Sequence, residues 1–137
     1  MTKRELQPVT GAELKVLEAL WQRGEATIRD LRDSLYPGGG SSKFATVQKL
    51  LARLAAKKLV GRRKAAASWL FRPLVERDEL IGGELRRVAD RLGANSMTPL
   101  LTYLVETGEL SAKERAHLRR ILDESPAQQS AQRKQRK

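Results

Sequence analysis

The first 57 residues contain three segments with the apolar spacing of an α-helix, separated by breaks that contain glycine. The first segment starts with a capping-box pattern, Thr10 with Glu13, in which each side chain bonds the backbone of the other residue. Gly24 is expected to end that helix. Thr27 with Asp30 repeats the start signal and opens a short second segment. The pattern therefore predicts consecutive amphipathic helices that pack through their apolar stripes.

The run YPGGG at residues 36–40 separates the second helix from the third. Proline removes a backbone donor and glycine is a poor helix former, so the second helix must stop there. Ser41 or Ser42 is then predicted to cap a third helix that runs to about Lys57. Its apolar stripe consists of Phe44, Val47, Leu50, Leu51 and Leu54.

After the third helix the pattern changes to two short strands, residues 59–64 and 68–72, joined by a turn of small residues. A helical reading of KAAASWL is the alternative, because alanine favours helix. Trp69 and Phe71 alternate around a leucine and Pro73 follows closely, which favours strand. Three helices followed by a β-hairpin are the order of a winged helix-turn-helix, in which the third helix enters the major groove of DNA.

From residue 76 the apolar spacing is helical again and predicts three further helices, so the fold is mainly α. Thr98 is the expected cap of the second of these helices, and Gly108 is expected to end it. Ser111 with Glu114 caps the last one. The predicted organisation is a winged-helix DNA-binding domain over 1–75, a helical dimerisation domain over 76–124 and a disordered basic tail over 125–137.

Positive charge is concentrated in the front of the chain. The protein has 27 lysine and arginine residues against 16 acidic ones, a net charge of +11. No acidic residue occurs between Asp33 and Glu76, and residues 43–64 alone carry eight basic side chains. Basic residues on one helix face are often only a solvated surface, but so long an acid-free stretch favours nucleic-acid binding.

The side of the third helix opposite Val47 has the chemistry of a DNA-reading face. Thr46 can meet a base edge or a thymine methyl group, and Lys49 and Arg53 can reach phosphate or guanine. Basic residues on the wing are expected to hold the DNA backbone or the minor groove, with Ser68 facing them. The predicted DNA-binding residues are Ser42, Lys43, Thr46, Lys49, Arg53, Arg62, Arg63, Lys64 and Ser68.

The back half of the chain is under 50 residues long, too short to bury much apolar surface alone. Its leucine-rich stripe therefore needs a partner surface, and a two-fold homodimer is the commonest closed solution. The alternative is that these helices fold back onto the front domain. The predicted dimerisation residues are Leu80, Ile81, Leu85, Val88, Leu92, Leu101, Leu104 and Leu118.

Composition excludes several other functions. The chain has no cysteine and one histidine, His117, so disulfides, thiolate metal sites and a zinc site built from imidazoles are excluded. GGGSSK lacks the spacing of a phosphate loop. We expect no enzyme and no cofactor or metal, and a protein of the cytoplasm without membrane insertion. A winged-helix protein-interaction module is the rival reading, but it would present an apolar or acidic outer face.

Three stretches resemble the penicillinase repressor family (BlaI and MecI, with copper-responsive CopY relatives): TGAELKVLEALWQRGEATIRDL, ATVQKLLARLAAKKLVGRRK and LTYLVETGELSAKERAHLRRILDE. The resemblance covers roughly residues 8–124. It implies a dimeric winged-helix repressor whose front part binds an operator, with contacts on the third helix and wing named above. It also implies a membrane sensor or protease as a partner, since in several members a sensor triggered by a β-lactam leads to cleavage of the repressor.

The chain departs from this family at several positions. YPGGGSS is richer in glycine than expected before the reading helix, and the wing turn is alanine 65–67 rather than a glycine and arginine turn. Lys58 stands where the family often has glycine. The cysteine-rich copper motif is absent, which argues against copper sensing. The Asn-Phe pair of the cleaved members is also absent, which argues against regulation by proteolysis.

Overall fold

A computed structural model describes residues 4–93 and 96–124 of the chain. The predicted order of three helices, two strands and three helices is confirmed, and the predicted tail over 125–137 lies outside the described residues. The elements are α1 Gly11–Arg23, α2 Ile28–Leu35, α3 Gly40–Ala56, β1 Val60–Ala65, β2 Ser68–Pro73, α4 Arg77–Arg91, α5 Thr98–Glu106 and α6 Ala112–Glu124.

The chain divides into two compact units after Val88, inside α4. The sequence instead places a domain boundary before α4, after residue 75. The structure divides later because the beginning of α4 packs on the core of the first unit through Leu80, which is only 5% exposed.

Helices α1 to α3 and the β-hairpin of the first unit enclose one apolar core. Leu17 and Leu20 of α1, Leu31 of α2 and Leu54 of α3 are fully buried in it. Phe71 adds the hairpin to the same core. Burying each such side chain contributes about 1.5–3 kcal/mol, which makes the core the main source of stability of this unit.

Reciprocal side-chain caps start three of the helices, as the sequence predicts. In α1, Thr10 N donates to Glu13 Oε1 over 2.8 Å and Glu13 N donates to Thr10 Oγ1 over 3.1 Å. Thr27 with Asp30 caps α2 in the same way, and the pair Ser111 and Glu114 caps α6. Gly24, the predicted end of α1, is its C-cap residue.

The start of α3 differs from the prediction, because neither serine caps it. The helix begins at Gly40, its N-cap is Gly39, and no side chain caps it. Gly38 and Gly40 have φ angles of 75° and 62°, in the left-handed region that glycine adopts without strain. Gly39 N donates to the Tyr36 carbonyl over 2.9 Å, which closes a tight turn and lets the helix begin early.

Helix α5 also begins one residue away from its predicted cap. Met97 occupies the N-cap position, Thr98 is the first helical residue, and no side chain caps the helix. The helix ends at Glu106 with Thr107 as C-cap, just before Gly108 with a φ of 75°.

Candidate nucleic-acid interface

Helix α3 presents the predicted reading face to solvent. Val47, Leu50, Leu51 and Leu54 are buried, and the helical period turns the remaining positions outward. Ser42, Lys43, Lys49 and Arg53 are exposed, and Thr46 is partly exposed. The structure thus brings all five predicted residues of this helix to its accessible surface.

The hydroxyl of Thr46 already has one partner. Thr46 Oγ1 donates to the Ser42 carbonyl over 3.2 Å. A hydroxyl has a single donor and two acceptor lone pairs, so what remains is acceptor capacity. In a major groove this hydroxyl would accept from the exocyclic amine of adenine or cytosine.

Acidic side chains of the described residues do not offset the charge of the cations on the reading face. The ion pairs found among residues 4–93 and 96–124 include none from Lys43, Lys49 or Arg53. Lys43 lies over the Tyr36 ring with its Nζ 4.9 Å from the centroid, an arrangement that orients the ammonium without neutralising it. The face therefore carries positive charge that is available to a polyanion.

The wing is a regular antiparallel hairpin with a third, single-bridge neighbour. Its register pairs Val60 with Pro73 at the base and Ala65 with Ser68 at the tip. Ala26 bridges to Phe71 through hydrogen bonds of 3.0 and 2.8 Å, which fixes the base of β2 to the turn between α1 and α2. The strand reading of this segment is confirmed and the helical alternative is wrong.

The wing cations lie on two different faces of the hairpin, which the sequence prediction did not distinguish. Successive strand residues point to opposite sides, so Arg62 and Lys64 share one face and Arg63 lies on the other. Ser68 pairs with Ala65 and so belongs to the Arg63 face. All four predicted wing residues are exposed, but they form two groups rather than one.

The two faces of the wing also differ in their partners. Arg63 Nε donates to Glu25 Oε2 over 3.0 Å, an ion pair that offsets its charge. Arg62 Cζ lies 4.2 Å and Lys64 Nζ 5.0 Å from the centroid of the Trp69 ring. Arg62 and Lys64 on the tryptophan face form no ion pair among the described residues, whereas Arg63 does.

A buried ion pair positions α3 from its C-terminal end. Lys57 Nζ donates to Glu13 Oε1 and Oε2 over 2.7 and 2.8 Å and to the Pro8 carbonyl over 2.8 Å. Burial raises the pKa of Glu13, but hydrogen bonds from Lys57 and Thr10 outweigh it and hold the pKa below its ordinary value of 4.5. The pair links the start of α1 to the end of α3. Sequence reasoning found only the cap, because no local pattern connects residues so distant in the chain.

An N-terminal strap, residues 4–9, was also missed. Arg4 donates to the Lys58 carbonyl over 2.9 Å, to the Leu74 carbonyl over 2.6 Å and to Glu79 Oε2 over 3.3 Å. One guanidinium thus joins the end of the reading helix, the end of the hairpin and the beginning of α4.

The residues predicted for dimerisation separate into two groups. Leu80 was predicted to lie in the dimer surface, but it is buried in the core of the first unit. Its apolar surface is therefore already covered within one chain. The other predicted residues are exposed, at Ile81, Leu85, Val88, Leu92, Leu101, Leu104 and Leu118. Tyr103, for which the sequence left a place at this surface or in the core open, is exposed. Val105, Ile121 and Leu122 are exposed too, and the sequence pattern did not assign them to this surface.

The described part of the chain offers no cluster of three or more histidine, cysteine, aspartate or glutamate side chains that would hold a metal ion. None of the helices in the described residues has the length and hydropathy of a membrane-spanning segment.

Three helices, a hairpin wing and an unneutralised basic face define a winged-helix transcriptional regulator. The sequence profile of the penicillinase repressor family matches residues 9–124, and the chain belongs to this family. The family resemblance seen in the sequence is thereby confirmed. No curated protein sequence matches the chain.

Several solved structures are similar to the chain. The DNA-binding domain of the repressor BlaI shares 22% identity with a TM-score of 0.47, over 57% of this chain and 93% of that one. The oxidised form of MarR from E. coli shares 21% identity with a TM-score of 0.43, over 84% and 74%. The PcaV transcriptional regulator from Streptomyces coelicolor, in complex with its natural ligand, shares 22% identity with a TM-score of 0.42, over 88% and 80%.

Proposed function

We propose that this protein is a sequence-specific DNA-binding repressor that acts as a homodimer on a palindromic operator in the cytoplasm. One observation carries the proposal: α3 presents an exposed face whose cations have no acidic partner among the described residues. Such a face matches the phosphates and base edges of a duplex better than it matches a protein surface. A membrane sensor as a further partner stays a prediction from the family resemblance.

Each predicted contact has its own role in this proposal. Ser42 and Lys43, near the start of α3, contact a phosphate. Thr46 accepts a hydrogen bond from a base amine, and Lys49 and Arg53 read guanine or hold the backbone. On the wing, the basic residues and the hydroxyl of Ser68 hold the backbone beside the reading helix. Arg63 contributes least, because Glu25 offsets its charge.

A homodimer is supported by the exposed apolar side chains of the later helices. Ile81, Leu85 and Val88 recur on α4 at spacings of four and three, and Leu92 follows four residues later, just after the helix ends. The three helical residues form one exposed apolar stripe along α4. Helices α5 and α6 contain no buried residue. A second copy would cover such surfaces, double the phosphate contacts and match a two-fold symmetric site.

Selection from a pool of random duplexes tests sequence specificity. The wild-type protein should enrich an inverted repeat whose half-sites are separated by about one helical turn or a multiple of it. Arg53→Ala or Lys49→Ala should cost about 1–3 kcal/mol and relax specificity at one position if the side chain reads a base. If the side chain holds only phosphate, the loss should be uniform across sequences.

Lys15→Ala is the matched control, since it removes one exposed positive charge from α1 and should leave the selected sequence unchanged. A pool in which no sequence is enriched would contradict specific binding. Unchanged binding after both α3 substitutions would remove this helix as the reader.

A further inference from the structure

The exposed indole of Trp69 is not explained by the core of the winged-helix unit. Its side chain is 40% exposed at the outer part of β2, directly opposite Lys64 in the hairpin register. Phe71, two residues along the same strand face, is buried in the core. The face that carries the indole therefore begins in the core and continues outward as a surface with two cations.

Two positive charges are held on this one ring. Arg62 Cζ lies 4.2 Å and Lys64 Nζ 5.0 Å from the ring centroid, both within the distance at which the negative face of an aromatic ring attracts a cation. Among the described residues, neither cation forms an ion pair. The ring restricts both side chains while leaving their charge intact, as a carboxylate would not.

Arg63 supplies the contrast within the same strand. The carboxylate of Glu25 orients the Arg63 guanidinium over 3.0 Å. The same carboxylate also offsets the charge of the guanidinium. A cation that is ordered and still fully charged loses less conformational freedom when it meets a phosphate. Arg62 and Lys64 are both ordered and without an acidic partner, whereas Arg63 is ordered but paired with Glu25.

We infer that Trp69 is a positioning residue for DNA binding, which holds Arg62 and Lys64 side by side as a two-pronged phosphate contact of the wing. This inference rests on the proposed function and adds to it different roles for the wing cations: Arg62 and Lys64 make the principal phosphate contact, and Arg63 mainly braces the hairpin against Glu25.

Titration of an arbitrary 30-base-pair duplex at several salt concentrations tests the inference. Trp69→Leu should weaken binding about tenfold, because leucine offers no aromatic face to orient the two cations, and Trp69→Phe should stay within about threefold of wild type, because an aromatic ring is kept. The slope of log affinity against log salt should fall by about one for each phosphate that the variant no longer neutralises. Arg62→Gln should lower that slope more than the matched Arg63→Gln.

Collisional quenching gives a readout that does not depend on affinity. The Trp69 signal is the difference between wild type and Trp69→Phe. In the free protein iodide should quench it more than caesium does, because two cations flank the ring. Added duplex should remove the iodide quenching, because the phosphates then cover the ring and repel the anion.

The outcomes separate this inference from the proposed function. Wild-type protein that binds no duplex overturns both. Wild-type protein that binds, while Trp69→Leu binds equally well with an unchanged salt slope, overturns only the inference. Iodide quenching of Trp69 that persists in the complex also overturns it, as does an Arg63→Gln effect equal to that of Arg62→Gln.

Discussion

Both compact units contain leucines at helical spacing, but the leucines differ in burial between the two units. Leu17, Leu20 and Leu31 of the first unit are fully buried within one chain. Leu101 and Leu122 of the second unit are 55% and 65% exposed, and α5 and α6 bury no residue. The winged-helix unit has a closed core within one chain, whereas the described helices α5 and α6 leave their apolar side chains exposed.

The comparison shows that the sequence features that form a helix are not sufficient to form a buried core. Both units use the same reciprocal caps, Thr10 with Glu13 in the first and Ser111 with Glu114 in the second. Capping and apolar spacing therefore produce helices in each unit. Only in the first do three helices and a hairpin surround a common interior, because most helical stability in proteins comes from packing of an apolar face.

The largest effect is expected where charge would enter the proposed dimer surface. Leu85→Asp combined with Val88→Asp should convert the dimer to monomers, because an unpaired buried charge costs several kcal/mol per ion, on the order of a thousandfold or more in the dissociation constant for the pair. Operator binding should weaken with it. Sedimentation equilibrium measures the mass directly.

The charge-reversed pair Leu85→Lys with Val88→Lys is the control, and it should act alike, since the sign of the buried charge is irrelevant to its desolvation. A double mutant that remains a dimer would move the interface away from α4.

The next largest effect is expected on the free energy of unfolding, when a buried leucine of the first unit is compared with an exposed leucine of the second. In the Leu85→Asp and Val88→Asp background, Leu54→Ala should lower the free energy of unfolding by about 2–5 kcal/mol, because it opens a cavity in a closed core. Leu122→Ala in the same background should change it by less than about 0.5 kcal/mol, since its side chain is mostly in water. Urea denaturation measures both, and equal losses would refute the contrast between the units.

The buried ion pair of the first unit should give a smaller loss that depends on pH. Lys57→Ala leaves Glu13 buried without its charge partner and should cost about 3 kcal/mol at neutral pH. In the wild type, the folded pKa of Glu13 lies below its ordinary value of 4.5. Its stabilisation is therefore present above pH 4.5 and is lost as the pH falls through the lower, folded value.

Glu13→Gln keeps the shape of the side chain and removes its titration. Denaturation of this variant between neutral and acid pH should show a shallower acid loss than wild type. Identical pH profiles for the two proteins would show that Glu13 is not the group responsible.

The smallest effect is expected at the N-terminal strap. Arg4→Ala removes exposed hydrogen bonds to two carbonyls and an ion pair to Glu79, worth about 1 kcal/mol in all after solvent screening. Amide hydrogen exchange should quicken in the first turn of α4. Arg86→Ala, which removes an exposed arginine of the same helix, should not change it, and unchanged exchange in Arg4→Ala would show that the strap does not hold α4.

Sequence predicts well where the cause is local. The caps at Thr10, Thr27 and Ser111 and the alternation of the wing strands involve neighbours within a few residues, and all are confirmed. The early start of α3 was missed because Gly38 to Gly40 permit several backbone conformations, and tertiary packing selects one of them.

The helical and strand periods of the sequence also place some neighbouring residues on different faces, but the predicted residue sets did not separate those residues. Leu80 and Ile81 lie about 100° apart on a helix, so one faces the core while the other joins the exposed apolar stripe with Leu85. Strand alternation likewise separates Arg62 from Arg63. The pairing of Lys57 with Glu13 and the hydrogen bonds of Arg4 join residues far apart in sequence, and no local rule reaches them.

The proposed binding of duplex DNA depends most on the acid-free face of α3 and on the wing. Its most direct test is retention of the wild-type protein on a double-stranded fragment as salt is raised. Contact with six or more phosphates predicts that affinity falls on the order of 10³-fold between about 50 and 200 mM salt. Absence of retention on any duplex at low ionic strength, or binding indifferent to salt, would contradict it.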